Sequence, residues 1–218
     1  RTFGFGTAVD EAVRVISSAH TEARSVDNGV SVVKLMGRHA GFIAAAATVA
    51  SQDVNFCLVP EQSFSLDGLL AALEKRLAHK NHAVIVVAEG AGQDLLEASG
   101  EKDGSGNPKL EDIGHFIRDA IVALYKQPGY EMIMRYFDPS YQTRGCPANP
   151  EDALLCARMA RHAVHAAMSG RTGLVISYLH GQFVHVPIDI IAAGGKRVDL
   201  EGELWRAVLS STGQPMKF

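Results

Sequence analysis

Val30-Ser31-Val32-Val33-Lys34-Leu35-Met36-Gly37-Arg38-His39-Ala40-Gly41-Phe42-Ile43-Ala44 is the stretch that decides the fold. Residues 30–35 form an apolar run that reads as a buried strand, broken at Gly37. An Ala-rich helical run then starts near His39. A strand that turns on glycine into a helix gathers backbone N–H groups and a positive helix end at one point. Arg38 falls at that point, and its planar fork matches phosphate oxygens. An arginine at a helix start is by itself a solvated charge; the glycine turn is what favours function. The stretch therefore reads as a site for a phosphorylated small molecule, placed where a doubly wound sheet holds its ligand.

Outward from this stretch, short apolar runs alternate with longer amphipathic ones. Strands are expected over 30–35, 55–59, 83–88, 131–137 and 173–179, and helices over 10–24, 41–51, 66–79, 110–126, 151–169 and 201–211. Strands apolar throughout are buried on both faces, which implies a parallel sheet with helices on each side. The expected class is α/β: a doubly wound, mostly parallel sheet in three layers. His180-Gly181-Gln182 between two apolar runs predicts a β-hairpin over 178–187, a departure from pure alternation. Residues 98–108 are polar and Gly-rich and read as a surface loop.

Composition bounds the function. Hydrophobic residues make up 47% of the 218, enough for a real core. The formal net charge of -3 gives no electrostatic reason to expect nucleic acid or an anionic membrane. No apolar run approaches the roughly 20 residues of a membrane span. Cys57, Cys146 and Cys156 fit neither a zinc spacing nor a disulfide framework, and suggest a reducing compartment. The nine histidines are scattered; His162 and His165, three apart on one helix, have no carboxylate at metal-motif spacing and read as packing and surface residues, so no metal ligands are assigned.

Three further places carry chemistry. Glu89 ends an apolar strand, where a carboxylate faces the ligand crevice; it either accepts hydrogen bonds from substrate hydroxyls or caps the loop amides that follow. Gly90-Ala91-Gly92 lacks the lysine and spacing of a Walker loop and reads as a turn. Tyr141-Gln142-Thr143-Arg144 follows a strand and an Asp-Pro turn, offering a hydroxyl donor and a second phosphate-binding arginine. Glu61 either orients the Arg38 loop or, the favoured reading, caps the following helix.

Four motifs in order resemble the phosphofructokinase family. Met36-Gly37-Arg38 with Gly41-Phe42-Ile43-Ala44 is similar to its fructose 6-phosphate loop, and Thr2-Phe3-Gly4-Phe5 with Thr7-Ala8 to the segment just after its catalytic loop. Glu89 matches a substrate-binding glutamate, and residues 138–144 resemble the second sugar-phosphate loop. The Thr-Phe-Gly-Phe start and Ser211-Thr212-Gly213-Gln214-Pro215 resemble the ATP-dependent branch of plants and trypanosomatids, as does Tyr141, where many bacterial relatives carry histidine. The resemblance covers essentially the whole chain.

It implies phosphoryl transfer from ATP to the 1-hydroxyl of fructose 6-phosphate, with substrate bound by Met36, Gly37, Arg38, Glu89, Arg135, Tyr141, Gln142, Thr143 and Arg144. Arg38 would also stabilise the transition state, and Arg135 would act across a subunit interface in a homo-oligomer, dimer or tetramer. Gly29 stands where bacterial enzymes place another cross-subunit arginine, which puts bacterial-style contacts and allostery in doubt. The family's catalytic Asp loop and the loops that hold ATP and Mg2+ are not found here, so the chain is expected to be the acceptor part of a longer protein and inactive alone. The implied division is residues 1–25 on the nucleotide side, 26–138 for substrate, and 139–218 returning to the nucleotide side. Rival readings are a pyrophosphate-dependent enzyme and a non-catalytic sugar-phosphate-binding regulatory subunit. The implied compartment is the cytoplasm, with glycosome or plastid as alternatives.

Overall fold

The computed structural model describes residues 2–96, 100–102, 104, 106, 109–126 and 132–218. By contact the chain forms two compact units, one of Val9–Arg144 with Arg197–Phe218, the other of Gly145–Lys196 with the residues up to Ala8.

The larger unit holds the apolar runs. Its elements are α1 (Phe5–Arg24, from Val9 on), β1 (Gly29–Leu35), α2 (Phe42–Ser51), β2 (Phe56–Leu58), α3 (Leu66–Leu77), β3 (His82–Ala88), α4 (Ile113–Leu124), β4 (Ile133–Phe137) and α5 (Ser140–Gly145), with α8 (Glu203–Thr212). The four strands form one parallel sheet in the order β2-β3-β1-β4. Successive side chains alternate between its faces. Val33, Leu35, Cys57, Val84, Val86 and Ala88 pack beneath α1, α2 and α8. Val30, Val32, Phe56, Leu58, Ile85 and Val87 pack against α3 and α4. Burial on both faces is why β2 and β3 are almost wholly apolar, as strands of a parallel sheet are.

Local chemistry sets the helix ends. The Ser65 hydroxyl accepts from Gly68 N at 3.1 Å at the start of α3, and Lys75 and Arg76 lie in its last turn, opposite the helix's negative end. The Asp112 carboxylate accepts from His115 N at 3.0 Å at the start of α4. The outer edge of β2 is closed by a side chain: the Gln214 amide accepts from Cys57 N at 2.7 Å and donates to Cys57 O at 3.3 Å, as a neighbouring strand would.

The smaller unit contains α6 (Pro150–Met168), β5 (Leu174–Leu179), β6 (Gln182–Pro187) and α7 (Ile188–Ala192). Asn149 and Pro150 start α6 in the usual way, the Asn149 side chain accepting from Asp152 N at 2.9 Å. Asp152, fully buried, accepts from Thr7 N at 2.8 Å and Thr7 Oγ1 at 2.7 Å, fastening the Thr2-to-Ala8 segment to α6. The hairpin is present: β5 and β6 pair antiparallel through His180 and Gly181, at φ 48 and 83, the geometry of a two-residue turn. His162 stacks on Phe183 with ring centroids 4.5 Å apart.

Four expectations need correction. Among the described residues, the 173–179 run pairs within the hairpin and not with the four-stranded sheet. α1 begins at Phe5, five residues before the expected start at 10, and α2 at Phe42, one residue after the expected start at 41. Helix α5 takes up residues expected as loop. The expected loop at 98–108 lies largely outside the described residues, as does Glu131.

Candidate functional site

The topology fixes where a crevice opens. After β1 the chain leaves through α2 onto one face of the sheet; after β3 it leaves towards α4 on the other. β1 and β3 are neighbours. Between their C-terminal ends the connections diverge, and such a switch point is where open α/β sheets bind ligands. The two loops at that point are 36–41, carrying Met36, Gly37 and Arg38, and the turn at Glu89 and Gly90.

These loops are stitched together. Gly37 N donates to Glu89 Oε1 at 3.3 Å, and Gly90 N donates to Gly37 O at 3.1 Å. Glu89 N donates to Leu35 O at 2.9 Å, extending the pairing of β1 and β3 by one step. Gly37 has φ 150, a conformation that favours glycine. At Gly90 a Cβ would lie 1.9 Å from the Arg38 carbonyl oxygen, so only glycine permits the approach. Glu89 thus reaches across to the Arg38 loop instead of capping the residues after it. The Gly90-Ala91-Gly92 turn is as read, with Ala91 N donating to Ala88 O at 2.9 Å. Arg38 is half-buried within the loop.

The helix end does not contribute as expected. Both Glu61 carboxylate oxygens accept from Gly41 N, the residue that starts α2, at 3.1 Å, and Oε1 accepts from Val198 N at 2.8 Å. Glu61 therefore orients the Arg38 loop, and the following helix is capped by Ser65. The Glu61 carboxylate therefore already meets the positive end of α2.

The second predicted motif emerges from β4, the other neighbour of β1. Tyr141, Gln142, Thr143 and Arg144 lie on the short helix α5; Tyr141 is 85% exposed, and Gln142 and Arg144 are exposed. Arg135 is not brought to the crevice. It is in register with Ser31, roughly 13 Å back along the sheet from Leu35, and its Nε donates to Glu22 Oε1 at 2.8 Å.

One group of side chains here escaped the sequence reading. Lys34 Nζ donates to Asp112 Oδ2 at 2.8 Å and lies 3.0 Å from Asp138 Oδ2. Tyr136 OH donates to Asp112 Oδ1 at 3.1 Å, and the His115 ring lies 4.4 Å from that of Tyr136. Burial pulls the Lys34 pKa down, but the hydrogen bonds to Asp112 and Asp138 outweigh it and hold the ammonium above the ordinary lysine value. Burial raises both carboxylates, yet each ends below its ordinary value: Asp112 through Lys34 and the His115 amide, Asp138 through Ser140 and Lys34. Burial pushes Tyr136 up to about 12, with Lys34 opposing and Asp112 adding. The available signal was a lysine inside a buried strand, a residue type seldom buried unless paired. Because the ammonium already spans the two carboxylates, the pair does not fit a divalent cation; among the described residues no group of three or more His, Cys, Asp or Glu gathers elsewhere.

A separate cleft of about 650 Å³, lined by Phe56, Lys75, Arg76, His79, Lys80 and Pro215 among others, lies at the start of β2, away from this crevice. Its cations cluster around the C-terminal end of α3, whose negative end they complement. No helix among the described residues is long and apolar enough to cross a membrane.

Fold and crevice together define a doubly wound α/β protein with a candidate small-ligand site at its switch point. Comparison with known proteins narrows the class. The family model described as phosphofructokinase matches residues 1–167, and the chain belongs to the phosphofructokinase family. It is 47% identical over 226 residues to an ATP-dependent 6-phosphofructokinase of Borreliella burgdorferi, covering 99% of this chain and 51% of that protein. It is 47% identical over 215 residues to the enzyme of that name from Trypanosoma brucei brucei, covering 97% and 44%, and 44% identical over 223 residues to one from Arabidopsis thaliana, covering 99% and 47%. The crystal structure of a pyrophosphate-dependent phosphofructokinase from Marinobacter aquaeolei superposes with a TM-score of 0.69 at 17% identity, covering 94% of this chain and 54% of that one; at that identity it speaks for the fold alone. The chain spans about half the length of the curated relatives it matches.

Proposed function

We propose that this chain carries the sugar-phosphate side of an ATP-dependent 6-phosphofructokinase, which transfers the γ-phosphoryl group of ATP to the 1-hydroxyl of fructose 6-phosphate and yields fructose 1,6-bisphosphate. The observation that carries the reading is the joining of the Arg38 and Glu89 loops at the switch point. The names of the relatives favour ATP as donor.

In this reading Arg38 and Arg144 pair with phosphate oxygens, and Arg38 also meets charge developing on the phosphoryl group. Glu89 accepts from sugar hydroxyls while holding Gly37 in place. Met36 supplies an apolar wall, and Tyr141, Gln142 and Thr143 line the far side. Arg135, turned to Glu22 in this chain, serves a neighbouring subunit of a homo-oligomer. The base that takes the hydroxyl proton, and the residues that hold ATP and Mg2+, belong to other parts of the protein. Positioning and charge neutralisation supply most of the rate. The residues on the sheet form the substrate side, and the protein works in cytoplasm, plastid or glycosome.

The test is Arg38→Ala in the full-length protein, with fructose 6-phosphate varied against ATP and against pyrophosphate. The expected result is a raised KM for fructose 6-phosphate and a lowered kcat, with turnover on ATP. Unchanged kinetics refute the site; turnover on pyrophosphate alone refutes the donor; sugar-phosphate binding without turnover in the unmutated protein favours the regulatory subunit.

A further inference from the structure

The site consists of three loops from three strands, and a line of hydrogen bonds and one ion pair, with a single covalent step from Glu111 to Asp112, runs through them. Gly37 is bonded to Glu89. Gln93 Nε2 donates to Glu89 O at 2.8 Å and to Glu111 O at 3.0 Å, and Glu111 N donates back to Gln93 Oε1 at 3.2 Å. Glu111 adjoins Asp112, which accepts from Lys34. Lys34 pairs with Asp138, and Asp138 accepts from Ser140 N at 3.1 Å and from the Ser140 hydroxyl, at the first residue of α5.

We infer that Lys34 is a positioning residue for fructose 6-phosphate binding: its ammonium, held between Asp112 and Asp138, fixes the Tyr141–Arg144 helix relative to the Arg38 loop. This rests on reading the crevice as the sugar-phosphate site. Three facts single out Lys34. It stands next to the last residue of β1, two residues before Met36 in the loop that carries Arg38, so it moves with that loop. Its side chain is 14% exposed, whereas those of its two partners are 35% and 34% exposed, so the cation is the buried member. Its ion pair with Asp138 crosses from β1 to the residue just after β4, at the point where the ladder between them has ended at Val33 and Phe137. Without the ammonium, two carboxylates facing one space repel, and the turn that launches α5 is free to move. Lys34 touches no reacting atom; it acts through Arg38 and Arg144.

The experiment uses the full-length protein with Lys34→Met, Lys34→Arg, Asp138→Asn and the double variant Lys34→Met/Asp138→Asn, with Arg38→Ala in parallel. Lys34→Met is expected to raise the KM for fructose 6-phosphate about tenfold or more while the KM for ATP stays within about twofold. Lys34→Arg keeps the charge and restores most of the loss. Asp138→Asn moves the same KM in the same direction, and the double variant is no worse than the poorer single one, since both break one link. If Lys34→Met fails to fold, Asp138→Asn alone decides. Both KM values rising together, a double effect equal to the product of the singles, or unchanged sugar-phosphate affinity overturns the inference. Arg38→Ala separates the two failures: if it weakens fructose 6-phosphate and Lys34→Met does not, only the role of Lys34 falls; if Arg38→Ala is silent, the site reading falls and this inference with it.

Discussion

Replacing Gly90 by alanine puts a methyl group where the Arg38 peptide already is. The Cβ would lie 1.9 Å from the Arg38 oxygen and 2.6 Å from its carbonyl carbon. Comfortable contact begins near 3.4 Å, so the two backbones must part by about 1.5 Å. No rotamer relieves this, because the neighbour is main chain. Parting them breaks the 3.1 Å bond from Gly90 N to Gly37 O. That loss is worth about 1 kcal/mol, and the overpacking adds about 1–3 kcal/mol, for a total of about 2–4 kcal/mol. In a chain of this size the melting temperature falls by roughly 5–15 °C. On the proposed reading of the crevice the functional cost is larger in proportion: an ångström-scale displacement of Arg38 is expected to cost on the order of 100-fold in kcat/KM for fructose 6-phosphate. Thermal unfolding and steady-state kinetics of the full-length protein read both numbers. Gly194→Ala, where a Cβ meets no heavy atom within 4 Å, is the control and should stay within about 0.5 kcal/mol. A Gly90→Ala protein that melts within about 1 °C of the unmutated one and keeps its kcat/KM would refute the argument from close approach.

Asp152→Ala removes a buried acceptor from both Thr7 N and Thr7 Oγ1 and should cost about 2–4 kcal/mol, read as a lowered urea midpoint at unchanged m-value; Asp152→Asn, which keeps one acceptor oxygen, should cost less. Asp112 and Asp138 titrate below their ordinary 3.8 in the folded protein, so their contribution is fully present above about pH 4 and fades as pH falls further. Urea unfolding between pH 5 and pH 2.5 should show that acid loss, and Lys34→Met should shrink it; an identical slope in the variant contradicts the pairing. Burial pushes the Cys57 thiol up to about 12, whereas Cys156 is exposed, so a thiol reagent at pH 8 should label Cys156 in the native protein and reach Cys57 only on unfolding.

The sheet was legible because β3 is apolar at every position after His82 and β1 carries Val30, Val32, Val33 and Leu35, short runs that suit strands buried on both faces. The hairpin was legible because His180 and Gly181 must adopt positive φ. Helix α5 was not, since six residues carry too little periodicity to separate a helix from a loop. The 173–179 run resembles the sheet strands in composition, and composition does not encode which strand it pairs with. Glu61 was assigned to the nearest helix in sequence; its partners lie 20 residues back at Gly41 and 137 residues on at Val198, beyond any local signal. Lys34 was passed over for the same reason, its carboxylates lying far along the chain. Motif residues announce the loops of the crevice, while the groups that hold those loops are recruited by the fold.

The amide of Gln214 on the free edge of β2 also bears on the order in which the protein is made. Cys57 and Gln214 are separated by 157 positions. At ribosomal speeds of roughly 5–20 residues per second, some 8–30 s pass between the emergence of the edge strand and that of the side chain that covers it. During that interval β2 is a bare strand edge on an otherwise assembling sheet, open to pairing with another nascent chain. The larger unit therefore closes this edge only once Gln214 has emerged. Slow elongation or crowded polysomes should lower the yield of folded protein more than the stability of the finished chain would suggest.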